Sequence, residues 1–232
     1  KMGAAPFHFW FPEIIEGLSW FNSFLIFTWQ KIAPMVLLMY NLKMMNFLIV
    51  IILMSMIISS VLSINQLSIR KILVYSSINH IGWMLSILMF NKSMWLIYFL
   101  VYTFILINLI WLFKICNSFF FQQMFTILNK NKMMKMFFFL NFFSLGGLPP
   151  FLGFYSKWIV MNELIKNNFF IIYIMILFTL IMLFTYTRLI LNSMVMKNLE
   201  FYMFTWNKKM MFILFSLNLI MLTMIPLLFN LY

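Results

Sequence analysis

Apolar runs of about 20 residues, joined by short polar segments, make up most of this chain. A helix of that length spans the ~30 Å hydrocarbon core of a bilayer and satisfies its own backbone hydrogen bonds there. The mean hydropathy is +1.02, so the polar side chains are too few to cover a soluble domain. We therefore predict an all-α polytopic membrane protein, in which residues 1–232 form a single transmembrane domain.

The apolar runs predict about eight transmembrane helices, two of which are broken. A polar connection at 114–135 separates the fifth span from the sixth, and its segment 119–128 is suited to lie along the membrane surface. The predicted spans are residues 1–20, 22–40, 44–64, 72–90, 94–113, 136–165, 168–191 and 210–229.

Proline and glycine interrupt two of these helices. Pro12 removes a backbone N–H and clashes with the preceding turn, so a helix over residues 2–11 is expected to break there. The second break divides a run of some thirty residues at Gly146, Gly147, Pro149, Pro150 and Gly153. Helix breaks at membrane depth occur where they line protein or a water-filled cavity, so both breaks are candidate functional positions.

Three lysines lie where membrane topology does not explain them. The net charge is +12, and most other cations gather in loops after the odd-numbered spans. The positive-inside rule assigns those loops to the inner side of the membrane. Lys31, however, is the tenth of 19 residues in its span, where an insertion cost of about 2.5–3.5 kcal/mol is expected. Lys1 and Lys157 lie beside the two predicted breaks.

Buried lysines of this kind have two possible roles. Hydrocarbon disfavours the charged form of an amine, so such a lysine can bind and release protons near neutral pH. On this basis Lys1, Lys31 and Lys157 are candidate proton-translocation residues. The alternative is a structural ion pair, or a side chain that extends to the membrane surface. Discontinuous helices in two halves of a transporter mark its transport site, which favours the first role.

Polar side chains also follow one face of the fourth predicted span. Ser76, Asn79, His80 and Trp83 are spaced i, i+3, i+4 and i+7, which places them on one side of a helix. His80 is a candidate proton relay between lysines, and Ser76 and Asn79 are possible relay or gate residues. A hydrogen bond that packs one helix against another would explain His80 equally well.

The first broken helix carries three further ionisable groups. Glu13 and Glu16 follow Pro12 and should lie in the first turn of the continuing helix, where carboxylates stabilise the positive end of the helix dipole. A proton-relay role is the alternative for both. His8, one turn before Pro12, is interpreted as a structural or gate-lining residue.

The sequence contains no recognisable cofactor site. Cys116 is the only cysteine and His8 and His80 are 72 residues apart, so neither a disulfide nor a metal site is predicted. No dinucleotide fingerprint or phosphate loop is visible. The cations follow membrane topology, which argues against nucleic-acid binding. Aromatic residues of the fifth span are predicted to form an interfacial belt: Trp95, Tyr98, Tyr102 and Trp111.

The composition also indicates an origin. With 24 Met and 31 Phe, the chain is typical of an A+T-rich genome read with an animal mitochondrial code. It begins at Lys1 rather than at Met, so we expect a further segment upstream.

Four stretches carry a family resemblance: KMGAAPFHFWFPEIIEGLSW, TWQKIAP, NQLSIRKILVYSSINHIGWM and SLGGLPPFLGFYSKW. They closely resemble the antiporter-like membrane-arm subunits of respiratory complex I, the mitochondrial NADH-ubiquinone oxidoreductase, and the composition suggests an insect. The resemblance runs from Lys1 to about Trp158. It implies an antiporter-like bundle of two inverted five-helix repeats, each with a broken helix. It also implies about three helices upstream, one with a glutamate that pairs with the first lysine.

The resemblance further implies roles for individual residues. Lys1 and Lys157 match the lysines of the two broken helices, Lys31 matches a central lysine, and His80 matches a central-axis histidine. The family implies no redox cofactor in this chain, because the flavin, the iron–sulfur clusters and the quinone belong to other subunits. The implied partners are lipids and other membrane-arm subunits of complex I, including a neighbouring antiporter-like subunit, in the inner mitochondrial membrane.

Three functions fit these features. The first is proton translocation through buried lysines, coupled to electron transfer from NADH to ubiquinone in other subunits. The second is a structural subunit that couples conformational changes and moves no proton itself. The third is a stand-alone cation/proton antiporter, against which the mitochondrial composition and the motifs argue.

Overall fold

The structure, a computed structural model, describes residues 1–42, 44–128, 132–167 and 170–195. This part of the chain folds into ten α-helices, and Ser68 and Phe120 form an isolated antiparallel bridge. The predicted all-helical fold is thus confirmed for the described residues. The helices are α1 (Trp10–Gly17), α2 (Trp20–Phe27), α3 (Trp29–Tyr40), α4 (Met45–Ser63), α5 (Ile69–Leu88), α6 (Lys92–Cys116), α7 (Phe121–Leu128), α8 (Lys132–Gly146), α9 (Leu152–Lys166) and α10 (Ile171–Val195).

Membrane-spanning length is clear for four stretches of the described chain, each of which coincides with a predicted span. The predicted total of about eight spans is not confirmed. The other described helices do not combine the required length and hydropathy, and residues 210–229 lie outside the described part. The four stretches are Trp20–Tyr40, Met45–Ser63, Lys92–Cys116 and Ile171–Met194.

Helix α5 forms the core of the bundle. Every residue of α5 except Arg70 and Lys71 is buried, as expected for a helix surrounded by other helices. A Cβ added at Gly82 would lie 2.7 Å from the Met56 sulfur and 2.8 Å from the Ser55 hydroxyl of α4. Small residues therefore let α4 and α5 pack at close range, as is common between membrane helices.

The beginning of the chain differs from the sequence prediction. Residues 5–9 form turns, and α1 begins at Trp10, so the predicted helix over 2–11 with a break at Pro12 is wrong. Pro12 lies in the first turn of α1, where a missing N–H removes no helical hydrogen bond. The interruption comes later, at residues 18–19, between α1 and α2.

An unpredicted irregularity separates α2 from α3. Thr28 departs from ideal helix geometry, with φ −117° and ψ −72°, and its hydroxyl donates to the Phe24 carbonyl at 2.8 Å. The backbone N–H of Lys31 donates to the Thr28 carbonyl at 3.1 Å, which is a tighter turn than an α-helix makes. Pro34 has no N–H for the Gln30 carbonyl. Both features loosen the helix around Lys31.

The second predicted break is confirmed. A turn that contains Pro149 and Pro150 separates α8 from α9. Gly147 has φ +76°, a conformation that favours glycine. A Cβ added at Gly153 would overlap the backbone carbonyl of Ser144. The two half-helices are therefore in direct backbone contact.

A cluster of charged and aromatic side chains joins α1 to α5. The Glu16 carboxylate pairs with the Lys71 ammonium at 3.0 Å, and the Glu16 backbone carbonyl accepts a hydrogen bond from the Arg70 guanidinium. Arg70 also lies over the Phe119 ring, 4.0 Å from its centre. The Ile69 N–H donates to the Phe119 carbonyl at 3.1 Å. These contacts tie the segment before α7 to the first turn of α5.

Candidate functional site

Lys31 is buried, with 1% of its surface exposed. Its ammonium donates to the Ser77 carbonyl at 3.4 Å and to the Tyr102 hydroxyl at 3.3 Å. The same nitrogen lies 4.9 Å from the centre of the Tyr102 ring and 6.0 Å from that of Phe11. Among the described residues, no carboxylate pairs with Lys31. Neutral oxygens and aromatic faces therefore surround this ammonium.

His80, Tyr98 and Tyr102 form an aromatic cluster beside Lys31. The His80 Nδ1 and the Tyr98 hydroxyl are 2.8 Å apart, and the rings of His80 and Tyr102 have centres 4.8 Å apart. All three side chains are buried. The predicted interfacial belt is therefore wrong for Tyr98 and Tyr102, which face the interior of the bundle. A signal was available: Tyr102 is the eleventh of the 25 residues of α6, too far from either end for a membrane interface.

The polar stripe of α5 does not converge on one point. The Asn79 amide donates to the Ser59 hydroxyl of α4 at 3.3 Å, whereas His80 faces α6. The Ser76 hydroxyl donates to the Leu73 carbonyl within α5 at 2.7 Å. Asn79 thus holds α4 against α5, and the structure does not bring it together with Lys31.

Lys157 is the second buried lysine, with 7% of its surface exposed. Its ammonium donates to the carbonyls of Gly146 at 2.8 Å and Leu145 at 3.4 Å. These carbonyls belong to the last turn of α8, where a helix leaves its carbonyls without helical partners. A Cβ added at Gly147 would lie 2.9 Å from the Lys157 Cδ. The bare glycine backbone therefore lets Lys157 reach across the break.

A cavity of about 140 Å³ adjoins Lys157. Residues of α5, α9 and α10 line it, including Trp83 and Thr179. The Trp83 indole N–H is buried and has no hydrogen-bond partner among the described residues. A cavity needs only about 10–15 Å³ per water molecule on this measure, so the space is large enough for several waters that accept from Trp83 and Lys157.

Helix α5 connects the surroundings of the two buried lysines. The charges of Lys157 and Lys31 both act on His80. Trp83, one turn beyond His80, reaches the cavity beside Lys157. The bundle therefore contains a row of ionisable groups in apolar surroundings, in an order that runs from Lys31 through His80 towards Lys157. Such a row can pass a proton between groups if their charges change in turn.

Residues 1–185 match the family described as "NADH:quinone oxidoreductase/Mrp antiporter, TM". That range covers most of the chain and includes both buried lysines. The chain belongs to this antiporter family. The predicted family resemblance is therefore confirmed.

Relatives within the antiporter family are similar over most of this chain. NADH-ubiquinone oxidoreductase chain 2 of Aedes aegypti is 47% identical over 90% of this chain and 59% of its own length. The protein of the same name from Anopheles gambiae is 49% identical over 82% of this chain and 55% of its own length. The chain thus spans less than two thirds of the length of each of these two relatives.

A solved structure has the same antiporter-like fold. A chain of "Respiratory complex I from Thermus thermophilus with bound Aureothin" superposes with a TM-score of 0.84, over 96% of this chain and 53% of that chain. The sequence identity is 20%, so the likeness concerns the fold. It supports a membrane protein built on the antiporter-like bundle.

Lys1 and His8 lie in the irregular segment before α1. Lys1 is exposed and lines a separate cavity of about 390 Å³ with residues that include Leu38 of α3 and Phe47 of α4. The His8 ring is buried, with Nδ1 3.2 Å from the Pro6 carbonyl. That local contact supports the structural interpretation of His8.

The two glutamates of α1 are exposed. Glu13 lies in the first turn of α1, as predicted. Glu16 lies in the last turn, so its predicted placement is wrong, because α1 begins at Trp10 and has only eight residues. The Glu16 ion pair with Lys71 explains this carboxylate as a link between helices.

Metal-ligand clusters were also sought in the described part of the chain. No group of three or more His, Cys, Asp or Glu side chains there could hold a metal ion. Cys116 is buried and unpaired with another cysteine among these residues.

Proposed function

We propose that this chain is part of a core membrane-arm subunit of complex I that translocates protons across the inner mitochondrial membrane. The observation that carries the proposal is the pair of buried ammonium groups, Lys31 and Lys157, each beside a helix irregularity and each bonded to neutral oxygens. Family membership supports it. We further propose that residues 1–232 form one transmembrane domain with inverted repeats.

The chemistry of a buried amine supports a role in proton transfer. A charged group inside a bundle loses much of its hydration, and neutral hydrogen-bond acceptors replace only part of it. The charged and neutral forms of such a lysine are therefore close in free energy, and a nearby charge decides between them. His80, on which both lysine charges act, is suited to couple one lysine to the other.

In the proposed function, the redox chemistry takes place in other subunits of the complex. NADH oxidation and ubiquinone reduction, with their flavin and iron–sulfur clusters, occur in other subunits, and this chain binds no redox cofactor. Conformational and electrostatic changes reach it through neighbouring membrane-arm subunits, including another antiporter-like one. Lipids surround its outer surface, where large apolar side chains such as Leu177 and Leu180 are more than half exposed.

Residue roles follow from the geometry and from the family resemblance. Lys31, His80 and Lys157 form the proposed proton path. Lys1 is a further proposed proton-translocation residue on the family resemblance alone, because it lies in the irregular segment before α1. The peripheral candidates Glu13 and Glu16 are proposed only as surface groups, because both are exposed.

Replacing Lys157 with Met tests the proposal in the full-length chain of an assembled complex. We expect fewer protons pumped per NADH oxidised, because Met keeps the volume and removes the titratable amine of the proposed path. The loss should be partial, since the adjoining cavity has room for waters that can still pass protons. Proton uptake into sealed membrane vesicles during NADH oxidation is the measurement.

The matched control is Lys166→Met on the same helix. Lys166 is exposed and pairs with Glu163 at 3.0 Å, so this variant should pump normally. If both variants assemble and pump like the wild type, the proton-path role is refuted. Loss of assembly in Lys157→Met with normal pumping by the residual complex would instead support the structural-subunit function.

A further inference from the structure

Tyr102 lies between the two groups that the proposed path must connect. Its side chain is 1% exposed. Its hydroxyl is 3.3 Å from the Lys31 ammonium, and its ring centre is 4.9 Å from the same nitrogen. The Tyr102 ring also contacts His80, and the centres of these two rings are 4.8 Å apart. One side chain thus contacts both Lys31 and His80.

The hydroxyl and the ring of Tyr102 both favour the charged form of Lys31. A hydroxyl oxygen that accepts from an ammonium makes a charge-assisted hydrogen bond, which is stronger than a neutral one. The electron-rich face of a phenol ring attracts the same cation. A neutral Lys31 would lose the ring attraction, and its amine, with two N–H groups and one lone pair, could make only an uncharged hydrogen bond with the hydroxyl.

Other partners of Lys31 cannot replace this contribution. The Ser77 carbonyl, at 3.4 Å, accepts from the same ammonium in every variant at position 102, and the Phe11 ring centre, at 6.0 Å, is farther from this nitrogen than the Tyr102 ring centre. Tyr98 hydrogen-bonds His80 rather than Lys31. The titratable groups around Tyr102 and His80 include Tyr98 on α6, Lys157 on α9 and Tyr186 on α10.

From this geometry we infer that Tyr102 is a positioning residue that sets the pH at which Lys31 binds its proton, and so the pH range of proton pumping. The inference rests on the proposed function of Lys31. It assigns to Tyr102 a role separate from the proton path itself: the tyrosine stabilises one protonation state of the lysine and holds the ammonium near His80. No proton has to leave the phenol for this role.

Two substitutions at this position separate the hydroxyl from the ring. Tyr102→Phe removes the hydrogen bond and keeps the ring between Lys31 and His80, whereas Tyr102→Leu removes both. Either change makes the protonated form of Lys31 less stable, so a lower pH is needed to protonate it. The alkaline limb of the pH profile of pumping should therefore move to lower pH, by about one unit for Tyr102→Phe and further for Tyr102→Leu.

The matched control is Tyr75→Phe, which removes the hydroxyl of another buried tyrosine, on α5. Pumping per NADH would be measured from about pH 6 to pH 9 in vesicles that contain the assembled complex, with values spaced around the ordinary range of proton binding by amines and imidazoles. An unshifted profile in Tyr102→Phe, or an equal shift in Tyr75→Phe, would overturn the inference. A uniform loss at all pH values would also contradict it, since that result indicates damage to packing.

The outcome is distinguishable from failure of the proposed function. If Lys31 variants lose pumping while Tyr102→Phe keeps its pH profile, Lys31 remains on the path and the role of Tyr102 is wrong. If Lys31 variants pump normally, the proposed function itself fails, whatever Tyr102 does.

Discussion

Replacing Lys31 with Met in the full-length chain of an assembled complex is expected to abolish the proton pumping that passes through this chain. Lys31 is the residue whose ammonium binds both Ser77 and Tyr102, and it is more deeply buried than Lys157. The loss should therefore be larger than for Lys157. Electron transfer from NADH to a water-soluble acceptor should continue, because the proposed redox chemistry lies in other subunits.

Folding should survive this substitution. Met has a volume similar to that of Lys and fits the same apolar surroundings, and it removes the cost of burying a charge that has no carboxylate partner among the described residues. The amount of assembled complex measures this point. Lys31→Arg is informative as well, because a guanidinium keeps its charge at all working pH values and cannot act as an acceptor of protons.

Lys92→Met is the appropriate control for Lys31→Met. Lys92 is exposed at the beginning of α6, so its loss changes the net charge equally and leaves the row of buried groups intact. Normal proton-to-electron ratios in Lys31→Met, together with full assembly, would rule out a role of Lys31 in translocation.

Gly153→Ala is expected to have the largest effect on stability. The added Cβ would overlap the Ser144 carbonyl, and because that atom belongs to the backbone, a rotamer change cannot relieve the clash. Overpacking in a tight core typically costs about 1–3 kcal/mol, and a rigid backbone contact places this change at about 3 kcal/mol or above. The expected result is much less chain in the membrane and a lower thermal midpoint of the assembled complex.

Gly17→Ala is the matched control for the same chemical change. No atom lies within 4 Å of a Cβ added at Gly17, so this variant should accumulate and melt like the wild type. Equal stability of Gly153→Ala and Gly17→Ala would show that α8 and α9 are not in backbone contact at this point.

The two helix interruptions show how far the sequence could predict the fold. The break between α8 and α9 was predictable because Gly147, Pro149 and Pro150 act locally on the backbone, whatever surrounds them. The irregularity at Thr28 was not, because threonine is tolerated in helices and only the hydroxyl bond to Phe24 reveals its effect. The prediction at Pro12 was wrong for a related reason. Proline in the first turn of a helix removes no helical hydrogen bond, and α1 begins at Trp10.

The candidate site was likewise predictable only in part. The burial of Lys31 and Lys157 could be predicted from their depth within apolar runs. Tyr98 and Tyr102 were assigned to an interface, since the sequence does not say which face of α6 meets α5. The partners of Asn79 and His80 also depend on that packing, because adjacent residues of one helix face different neighbours. Side chains that meet across helices are set by tertiary structure alone.

Within the described part of the chain, the Lys157 ammonium is stabilised by the C-terminal end of α8 rather than by a carboxylate. The C-terminal end of a helix carries a partial charge of roughly −0.5, and here the carbonyls of Leu145 and Gly146 present it to the ammonium. A carboxylate in that place would be neutralised by acid, whereas peptide dipoles have no proton to gain. The charge that α8 presents to Lys157 is therefore constant across the pH range and cannot be removed by exchanging a side chain of α8. While Lys157 keeps its proton, only a movement of the two half-helices relative to each other could weaken this attraction. At this lysine a change in distance would thus have the effect that protonation of a carboxylate has at an ordinary ion pair.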